Sequence, residues 1–407
     1  MAKPTYRRTK GMQDVLPDEQ RYWRVILKQM QRAMDLFGFQ RIDTPLLELA
    51  ALFKRSVGQG TDIVEKEMYI FEDRDGEILS LRPEFTAGLM RAYIQNGLHV
   101  QPPPVKLWTA GPLFRHERQQ KGRYRQHSQL NIEVLSESDP AVDAEIISVA
   151  WHLFDNLGIT GLNLHLNSTG CPICKPDYIQ RLSDYFKQYE SLLPEDDLRR
   201  LRQNPLRILD TKEESTQQFL DKAPKFADHL CEDCQQHQER LQSYLNALEI
   251  PFQIDFKLVR GLDYYTKTVF EIKAPGSLGS QDTVCGGGRY DKLIEMLGGR
   301  PTPGIGFGSG IERIALTMQA QGIEAPPTVA PLAFIAWLGE AAKVEAVKLA
   351  AKLRRAGIPV QLAFGDRSLK SQMKSANRRN ARYVIIIGEN ELAKGEATVR
   401  NLTTRVQ

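Results

Sequence analysis

The sequence lacks long apolar runs and a hydrophobic N-terminal segment. None of its apolar stretches reaches the roughly 18 residues that a membrane-spanning helix requires. The N-terminus, Met1-Ala2-Lys3-Pro4, leads directly into a polar, basic stretch, which predicts that no secretory signal is present. We therefore expect a cytoplasmic protein that does not associate with a membrane.

The sequence also has little excess charge of either sign. Its 407 residues include 54 Lys and Arg against 50 Asp and Glu, which gives a formal net charge of +4. An excess of this size is common on solvated surfaces and does not by itself indicate a nucleic-acid partner. Hydrophobic residues make up 42% of the chain, which predicts a substantial buried core.

Cysteine is scarce, and four of the five cysteines form two pairs, Cys171-x-x-Cys174 and Cys231-x-x-Cys234. Without a secretion signal, disulfides are the least favoured interpretation. Two such pairs are typical of a structural zinc ion, but some sixty residues separate them, unlike a compact zinc knuckle. We expect reduced thiols and no metal, with structural zinc at these four cysteines as the alternative.

The chain is long enough for two or three structural units. Residues 1–320 form the first predicted unit, and a shift to charged helical sequence indicates an inserted helical subdomain at about 170–245. Prolines mark a linker at 321–331. Residues 332–407 alternate strand, helix and strand, which predicts a small α/β domain.

The first unit is predicted to be α+β with an antiparallel sheet. Residues 18–36 have the apolar spacing of an amphipathic helix. Residues 252–258 alternate apolar and polar side chains as a half-buried strand does. After Asp263 the chain is predicted to double back through 264–272, and such hairpins build antiparallel sheets.

A basic loop lies between two predicted strands, 105–114 and 126–135. Arginine meets phosphate oxygens in pairs, so a loop of this kind suits a triphosphate or an RNA backbone. Gln129 and Glu133 lie on one face of the following strand and suit a ligand with an ammonium group. The alternative is an ordinary solvated hairpin tip. The loop contains five cations within eleven residues: Arg115, Arg118, Lys121, Arg123 and Arg125.

Three further segments contain candidate ligand-binding residues. Residues 260–265 combine a cation, an acid and two phenols, which suits a pocket wall; a tight turn with core aromatics is the alternative. Gly304 to Gly310 has glycine at every second position, which clears one strand face so that a flat ligand approaches the backbone; close sheet packing is the alternative. Glu84 is either a surface acid or an acceptor for a substrate amine, and Thr86 is expected to cap the following helix.

In this order, these segments resemble the class II aminoacyl-tRNA synthetase family. The N-terminal helix and the strand ending at Pro45 are similar to motif 1, which forms the dimer. Arg115 and the basic hairpin resemble motif 2, and Gly304 to Leu316 resembles motif 3. Within the class, Leu258 to Glu271 closely resembles the signature of the histidyl-tRNA synthetase family. The resemblance extends from Gly11 to the end of the chain.

The resemblance implies a histidine–tRNA ligase. Such an enzyme converts L-histidine and ATP to histidyl-adenylate and diphosphate, and then transfers histidine to the 3′ end of tRNA(His). The implied cofactor is Mg²⁺, and the implied assembly is a cytoplasmic homodimer.

The resemblance also implies roles for individual residues. Arg115 and Arg260 are the expected catalytic residues, with Arg115 at the α-phosphate of ATP and Arg313 at its γ-phosphate. The bare glycine face is expected to accept adenine. The ATP-binding residues are Arg115, Glu117, Arg123 and Arg313. The histidine-binding residues are Glu84, Thr86, Arg115, Gln129, Glu133, Arg260, Tyr264 and Tyr265.

The tail resembles the anticodon-binding domain of the same family. Its cations recur at steps of three and four, which predicts a positive stripe on one helix and an RNA-backbone contact. A solvated helix is the alternative. The candidate tRNA-binding residues are Arg367, Lys370, Lys374, Arg378 and Arg382.

Phe85 and the pair His127-Ser128 depart from the family pattern. Phe85 replaces a usual glycine, and His127-Ser128 replace a usual aromatic before Gln129.

Two other functions share parts of the family pattern. The first alternative is a histidine-binding regulatory paralogue of ATP phosphoribosyltransferase, which generally lacks the anticodon domain. The second is a synthetase for another amino acid, which lacks the segment from Arg260 to Glu271.

Overall fold

In the computed structural model, the chain forms two compact units, Met1–Pro326 and Pro327–Gln407. No helix among the described residues is both long and apolar enough to cross a membrane. The structure describes residues 6–58, 61–118, 120–276, 282–327 and 330–404.

The described part of the first unit contains eleven strands and ten α-helices. The strands are β1 Gln40–Arg41, β2 Leu47–Leu49, β3 Tyr69–Glu72, β4 Ile78–Leu81, β5 Val105–Phe114, β6 Gln126–Leu135, β7 Asn163–Ser168, β8 Phe252–Ile254, β9 Thr266–Lys273, β10 Thr283–Arg289 and β11 Gly304–Gly310. The helices are α1 Gln20–Phe37, α2 Ala50–Val57, α3 Thr86–Gln95, α4 Pro140–Asn156, α5 Lys175–Lys187, α6 Glu195–Gln203, α7 Glu214–Leu220, α8 Glu232–Ala247, α9 Leu293–Met296 and α10 Ile311–Ala320. Short 3-10 or π-helical turns are Ile63–Glu67, Leu98–Val100, Glu190–Leu192, Pro205–Asp210 and Phe226–His229.

Eight strands form the main sheet in the order β1-β5-β6-β11-β10-β9-β7-β8. The inner pairs are antiparallel, and only the edge strands β1 and β8 pair in parallel with their neighbours. The predicted antiparallel α+β sheet is confirmed. The predicted hairpin over 252–272 is wrong, because β7 lies between β8 and β9 and pairs with both. Alternation along the sequence identified strands but not their partners.

The hairpin that carries the basic loop forms where the sequence predicts it. Strands β5 and β6 have the predicted bounds and pair from Val105↔Leu135 to Phe114↔Gln126. On β6, Leu130, Ile132 and Val134 belong to the largest apolar cluster, with side chains of α1, α4 and α10. Since side chains alternate along a strand, the intervening residues of β6 face the opposite side of the sheet.

The segment between β7 and β8 is helical, as predicted, and contains α5 to α8. Its apolar side chains, among them Tyr178, Leu182 and Phe186, form a buried cluster of their own. A separate three-stranded antiparallel sheet has the order β2-β4-β3.

The second unit is an α/β domain with a four-stranded sheet in the order β13-β12-β14-β15. Its strands are β12 Ala333–Trp337, β13 Val360–Leu362, β14 Tyr383–Ile387 and β15 Thr398–Asn401, and its helices are α11 Glu340–Arg355, α12 Leu369–Arg378 and α13 Glu389–Lys394. The predicted strand–helix alternation is confirmed up to β14. Helix α13 and the antiparallel strand β15 extend it.

Candidate active site

One cavity of about 940 Å³ opens on the face of the main sheet opposite α4. Arg115, Arg260 and Arg313, which come from three distant segments, all line it. Strands β6, β11 and β10 lie side by side beneath it. Ten of the residues predicted from the sequence line this cavity: Glu84, Thr86, Arg115, Glu117, Arg123, Gln129, Arg260, Tyr264, Tyr265 and Arg313.

Strand β6 supplies a row of hydrogen-bonded polar groups at the floor. The amide of Gln129 donates to Asn131 over 3.2 Å, and the amide of Asn131 donates to Glu133 over 2.7 Å. Asn131 lines the cavity but was missed in the sequence, although the two-residue period from 129 to 133 passes through it.

Glu133 differs in position from the other predicted residues, because it is not among those that line the cavity. Its buried carboxylate accepts hydrogen bonds from the hydroxyls of Thr86, at 2.7 Å, and Tyr290. Both partners do line the cavity. Burial raises the pKa of Glu133 to about 7, against the effect of its hydrogen-bond donors. The sequence analysis expected Glu133 to contact the substrate directly. The structure instead places its carboxylate one layer below the cavity surface.

The glycines of β11 make room for the side chains of β6. A Cβ on Gly306 would overlap the Glu133 carboxylate, and a Cβ on Gly308 would overlap the Gln129 amide. At Gly310, by contrast, the nearest atom would be 3.7 Å away, on Arg313. The glycine face expected to accept a flat ligand is thus occupied at Gly306 and Gly308 by side chains of β6.

The loop after β5 carries a cluster of alternating charges. The Arg115 Nε donates to the carbonyl of Pro83 over 2.8 Å, which fixes the guanidinium beside the start of α3. Glu117 lies between two arginines, 3.9 Å from Arg115 and 3.2 Å from Arg123. Burial, with the charge of Arg115, lowers the pKa of the nearby His127 to about 3, so its imidazole is neutral.

Arg313 reaches the cavity from the first turn of α10. Its guanidinium donates to the carbonyl of Gly122 over 3.1 Å and to the carbonyl of Thr283 over 2.9 Å. These two contacts join the basic loop, β10 and α10 at one cation.

Arg260 forms an ion pair with Glu271 on β9. Although burial works against the charged form, the carboxylate raises the pKa of Arg260, so it stays charged. A Cβ on Gly286 would lie within 2.7 Å of the guanidinium, so only glycine permits this packing. The Arg260 Nε is buried and has no hydrogen-bond partner among the described residues. Such a donor at a cavity wall suits an anionic ligand.

Two tyrosines follow Arg260 and form an aromatic wall. The rings of Tyr264 and Tyr265 are 4.8 Å apart, and Tyr290 lies 5.7 Å from Tyr264 at a steep angle. Burial raises the pKa of both Tyr264 and Tyr265, so their hydroxyls are protonated and can donate hydrogen bonds.

Helix α3 begins beside this wall, and its cap differs from the prediction. The Glu84 carboxylate accepts the backbone N–H groups of Thr86 at 2.6 Å and Ala87 at 2.8 Å. The Thr86 hydroxyl donates to Glu133 instead, so the predicted Thr86 cap is wrong. Phe85 is fully buried and packs under the Arg82 guanidinium, 4.4 Å from its ring centre. Phe85 is not among the cavity-lining residues.

A buried ionic network behind the cavity was not predicted. Asp143 of α4 accepts hydrogen bonds from Arg289 of β10, His237 of α8 and Thr268 of β9 at 2.6–3.2 Å. Although burial opposes its charge, the arginine and histidine hold the pKa of Asp143 below its ordinary value. The network ties the helical insertion to the main sheet, and nothing local in the sequence indicates it.

The basic residues predicted for RNA contact are all exposed in the second unit. Lys370, Lys374 and Arg378 lie on α12, whereas Arg367 precedes that helix and Arg382 follows it. The predicted single-helix stripe is corrected accordingly: three of the five cations belong to the helix.

Known proteins match this chain over nearly its whole length. The family model described as histidyl-tRNA synthetase matches residues 11–314, and the anticodon binding domain model matches residues 332–407. A histidine–tRNA ligase of Dehalococcoides mccartyi is 49% identical over 397 residues, covering 98% of this chain and 95% of the relative. One from Pelotomaculum thermopropionicum is 46% identical over 400 residues, covering 98% and 94%.

Solved structures match as well. The apo histidyl-tRNA synthetase of S. aureus aligns with a TM-score of 0.83 and 34% identity, covering 98% of this chain and 96% of that one. A Bacillus halodurans protein described as an ATP phosphoribosyltransferase regulatory subunit/histidyl-tRNA synthetase aligns with a TM-score of 0.68 at 21% identity, covering 95% and 100%. That second likeness shows the fold alone.

The antiparallel sheet with its cavity and the appended anticodon-binding domain define a class II aminoacyl-tRNA synthetase. Within that class, the chain belongs to the histidyl-tRNA synthetase family. Its function is the ATP-dependent activation of histidine and transfer of histidine to tRNA.

Proposed function

We propose that histidine and ATP react in the 940 Å³ cavity, between Arg115, Arg260 and Arg313. The observation that carries this proposal is that three arginines, separated by more than fifty residues along the chain, line one cavity together with the predicted amino-acid-binding groups. A nucleotide triphosphate and a carboxylate both carry negative charge, so a site for the pair has to concentrate cations.

In the proposed first step, a carboxylate oxygen of histidine attacks the α-phosphorus of ATP, and the bond to diphosphate breaks. The carboxylate is already a nucleophile, so the step requires no general base. What the protein supplies is alignment and positive charge as diphosphate leaves. Arg260 is assigned to the carboxylate and α-phosphate, which its unpartnered Nε supports. Arg115 is assigned to the α-phosphate.

The remaining nucleotide contacts follow from the charges around the basic loop. We assign Arg313 to the γ-phosphate, and Glu117 with Arg123 to placing the nucleotide. Synthetases of class II use ATP as a substrate together with Mg²⁺. Glu117 and Glu271 offer carboxylate oxygens on the cavity wall, the ligands that Mg²⁺ takes besides phosphate and water, so these residues fit the ion. When bound there, the ion supplies further positive charge at the phosphates.

The polar end of the cavity is assigned to histidine. Glu84, Thr86 and Gln129 are proposed to hold the amino group, and Tyr264 and Tyr265 to frame the imidazole. Glu133 would then act by orienting the hydroxyls of Thr86 and Tyr290, to which it is hydrogen-bonded. Polar groups that pair with a ring nitrogen penalise analogues that lack it, because the groups are then left unpaired. We propose that discrimination for histidine arises in this way.

The second unit is assigned to tRNA(His). The three exposed cations of α12 are spaced along one helix, which suits contact with a phosphate backbone. Arg367 and Arg382, at either end of that helix, are proposed to extend the same contact. Because tRNA charging supplies translation, we propose that the enzyme acts in the cytoplasm.

We also propose a homodimer. The three-stranded sheet β2-β4-β3 exposes apolar side chains that are each 41–50% accessible: Leu47, Leu49, Ile70, Phe71 and Ile78. These strands adjoin the segment that resembles motif 1. An exposed apolar group of this kind is typical of an interface, and a second copy of the chain is the proposed partner.

Arg260→Ala tests the proposed site through histidine-dependent exchange of pyrophosphate into ATP. Removing a preorganised donor should lower the exchange rate by about 10²–10³-fold. Glu271 keeps a hydrogen bond from Thr283 at 2.9 Å, so we expect the fold to survive, which thermal unfolding would check. The matched control is Lys370→Glu with Lys374→Glu, which should retain exchange and lose tRNA charging. Full exchange in a folded Arg260→Ala enzyme would contradict the proposal.

A further inference from the structure

The four paired cysteines meet in space at the base of the helical insertion. Their sulfur atoms all lie within 4.8 Å of one another. The Sγ–Sγ distances are 3.9 Å between Cys171 and Cys174, 3.6 Å between Cys171 and Cys231, and 3.8 Å between Cys174 and Cys234. Folding thus closes the separation of sixty residues that counted against a metal in the sequence.

These distances match one tetrahedral ion. A zinc–thiolate bond of about 2.3 Å implies sulfur–sulfur edges of roughly 3.8 Å in a regular tetrahedron. A disulfide needs its sulfurs at about 2.05 Å, well inside the observed separations. A multi-iron cluster holds its cysteines farther apart, since each binds a different iron atom.

The surrounding backbone is arranged for thiolate ligands. The amide of Cys171 donates to the sulfur of Cys174 at 3.3 Å, and the amide of Ile173 donates to the sulfur of Cys171 at 3.4 Å. Gly170 has φ of +61°, and a Cβ there would lie 2.7 Å from the Cys174 sulfur. Cys231 is partly exposed and the other three cysteines are buried, so water has limited access to the group.

We propose that Cys171, Cys174, Cys231 and Cys234 bind one structural zinc ion. Four thiolates fill a tetrahedral coordination shell and leave no position for a substrate, so the site is structural and not catalytic. The assignment relies only on the cysteine geometry and is independent of the proposed histidine and ATP contacts.

The position of the site suggests what the ion stabilises. Cys174 and Cys231 are the N-caps of α5 and α8, so one ion would join the starts of two insertion helices. Next to it, Lys175 donates to the carbonyl of Tyr265 over 3.1 Å, and Lys267 pairs with Asp233 at 2.8 Å. The ion would therefore hold the insertion against the start of β9, directly behind the Tyr264–Tyr265 wall.

Metal analysis of the full-length protein, purified without chelators, tests the proposal. We expect about one zinc per chain, released stoichiometrically by a thiol-specific mercurial. Cys231→Ser and Cys234→Ser should lower the bound zinc at least severalfold. The matched control is Cys285→Ser, which removes the fifth cysteine, in β10, and should leave the zinc content unchanged.

A second measurement covers variants that fail to fold. Wild-type protein grown with cobalt should show the d–d absorption of a tetrahedral tetrathiolate site. Removal of zinc should increase hydrogen exchange in the backbone amides of residues 265–268 and the first turns of α5 and α8. Four free thiols without metal, a disulfide among these cysteines, or iron in place of zinc would each overturn the proposed zinc site. Unchanged hydrogen exchange after zinc removal would overturn the proposed stabilising role of the ion.

Discussion

At the residue scale, the site depends on a few buried polar side chains whose charge state is set by their surroundings. Glu133 lies below the cavity and connects to it through Thr86, Asn131 and Tyr290. The sequence placed Glu133 on the correct strand face, because side chains alternate along a strand. It did not indicate the depth of the carboxylate, because depth depends on the glycines of the neighbouring strand β11.

Glu133→Gln should change how stability depends on pH. Burial raises the pKa of Glu133 to about 7, above the roughly 4.3 of an exposed glutamate. Between these values the folded state keeps a proton that the unfolded chain has lost, so stability falls as pH rises and levels off above about 7. This fall should be smaller in the variant, by up to roughly 3 kcal/mol between about pH 5 and pH 7.5.

Urea unfolding at the two pH values measures this difference. Glu312→Gln serves as the comparison, because burial also raises the pKa of Glu312 to about 7. The Glu312 carboxylate accepts hydrogen bonds from the backbone amide of Ser128 and does not belong to the hydrogen-bond network of Glu133. If Glu133→Gln and wild type lost stability equally with rising pH, Glu133 would not hold the proton assigned to it.

At the element scale, β11 and β6 form one unit in which glycine on one strand permits carboxylate and amide groups on the other. The register sets Gly306 opposite Glu133, and the Gln129 amide fills the space beside Gly308. The sequence predicted a cleared strand face here. The side chains that occupy this face could not be predicted, because they depend on which strands pair. Strand pairing is set by packing between distant segments.

Gly306→Ala tests this strand arrangement. The added methyl would overlap both the Glu133 carboxylate and the carbonyl of Ile132, and the backbone cannot move away cheaply. We expect a loss of roughly 1–3 kcal/mol in stability and a raised KM for histidine. Thermal unfolding and exchange kinetics at varied histidine concentration measure the two effects.

The control for that variant lies four residues further on the same strand. In Gly310→Ala the new Cβ has its nearest neighbour at 3.7 Å, an ordinary contact, so the unfolding temperature should stay near that of wild type. Equal unfolding temperatures for the two variants would show that the β11 glycines do not make room for β6.

At the scale of the whole molecule, the active-site unit is assembled from segments far apart in sequence. The cavity combines the loop after β5, the segment before β9 and the start of α10, while the Asp143–Arg289 ion pair links α4 to β10 from behind. The apolar strands β2 and β3 extend this assembly toward a second copy in the proposed homodimer.

Leu49→Asp combined with Phe71→Asp should dissociate that dimer. Both side chains are exposed on the three-stranded sheet, and charges there would repel across a two-fold interface. Light scattering after size-exclusion chromatography should give twice the chain mass for wild type and the single-chain mass for the variant. Leu248→Asp, at an equally exposed position after α8, should remain dimeric. A wild-type protein of single-chain mass would refute the proposed dimer.

The elements and the family were predictable without any knowledge of the fold. Local periodicity and contiguous residues encode four features: the hairpin from Val105 to Leu135, the helical insertion, the α/β tail and the segment from Leu258 to Glu271. Three features became known only from the folded chain: β7 separates β8 from β9, Glu133 lies beneath the cavity, and four cysteines converge on one point. These features depend on contacts between residues far apart in the chain, and such contacts are set by the packing of the whole unit.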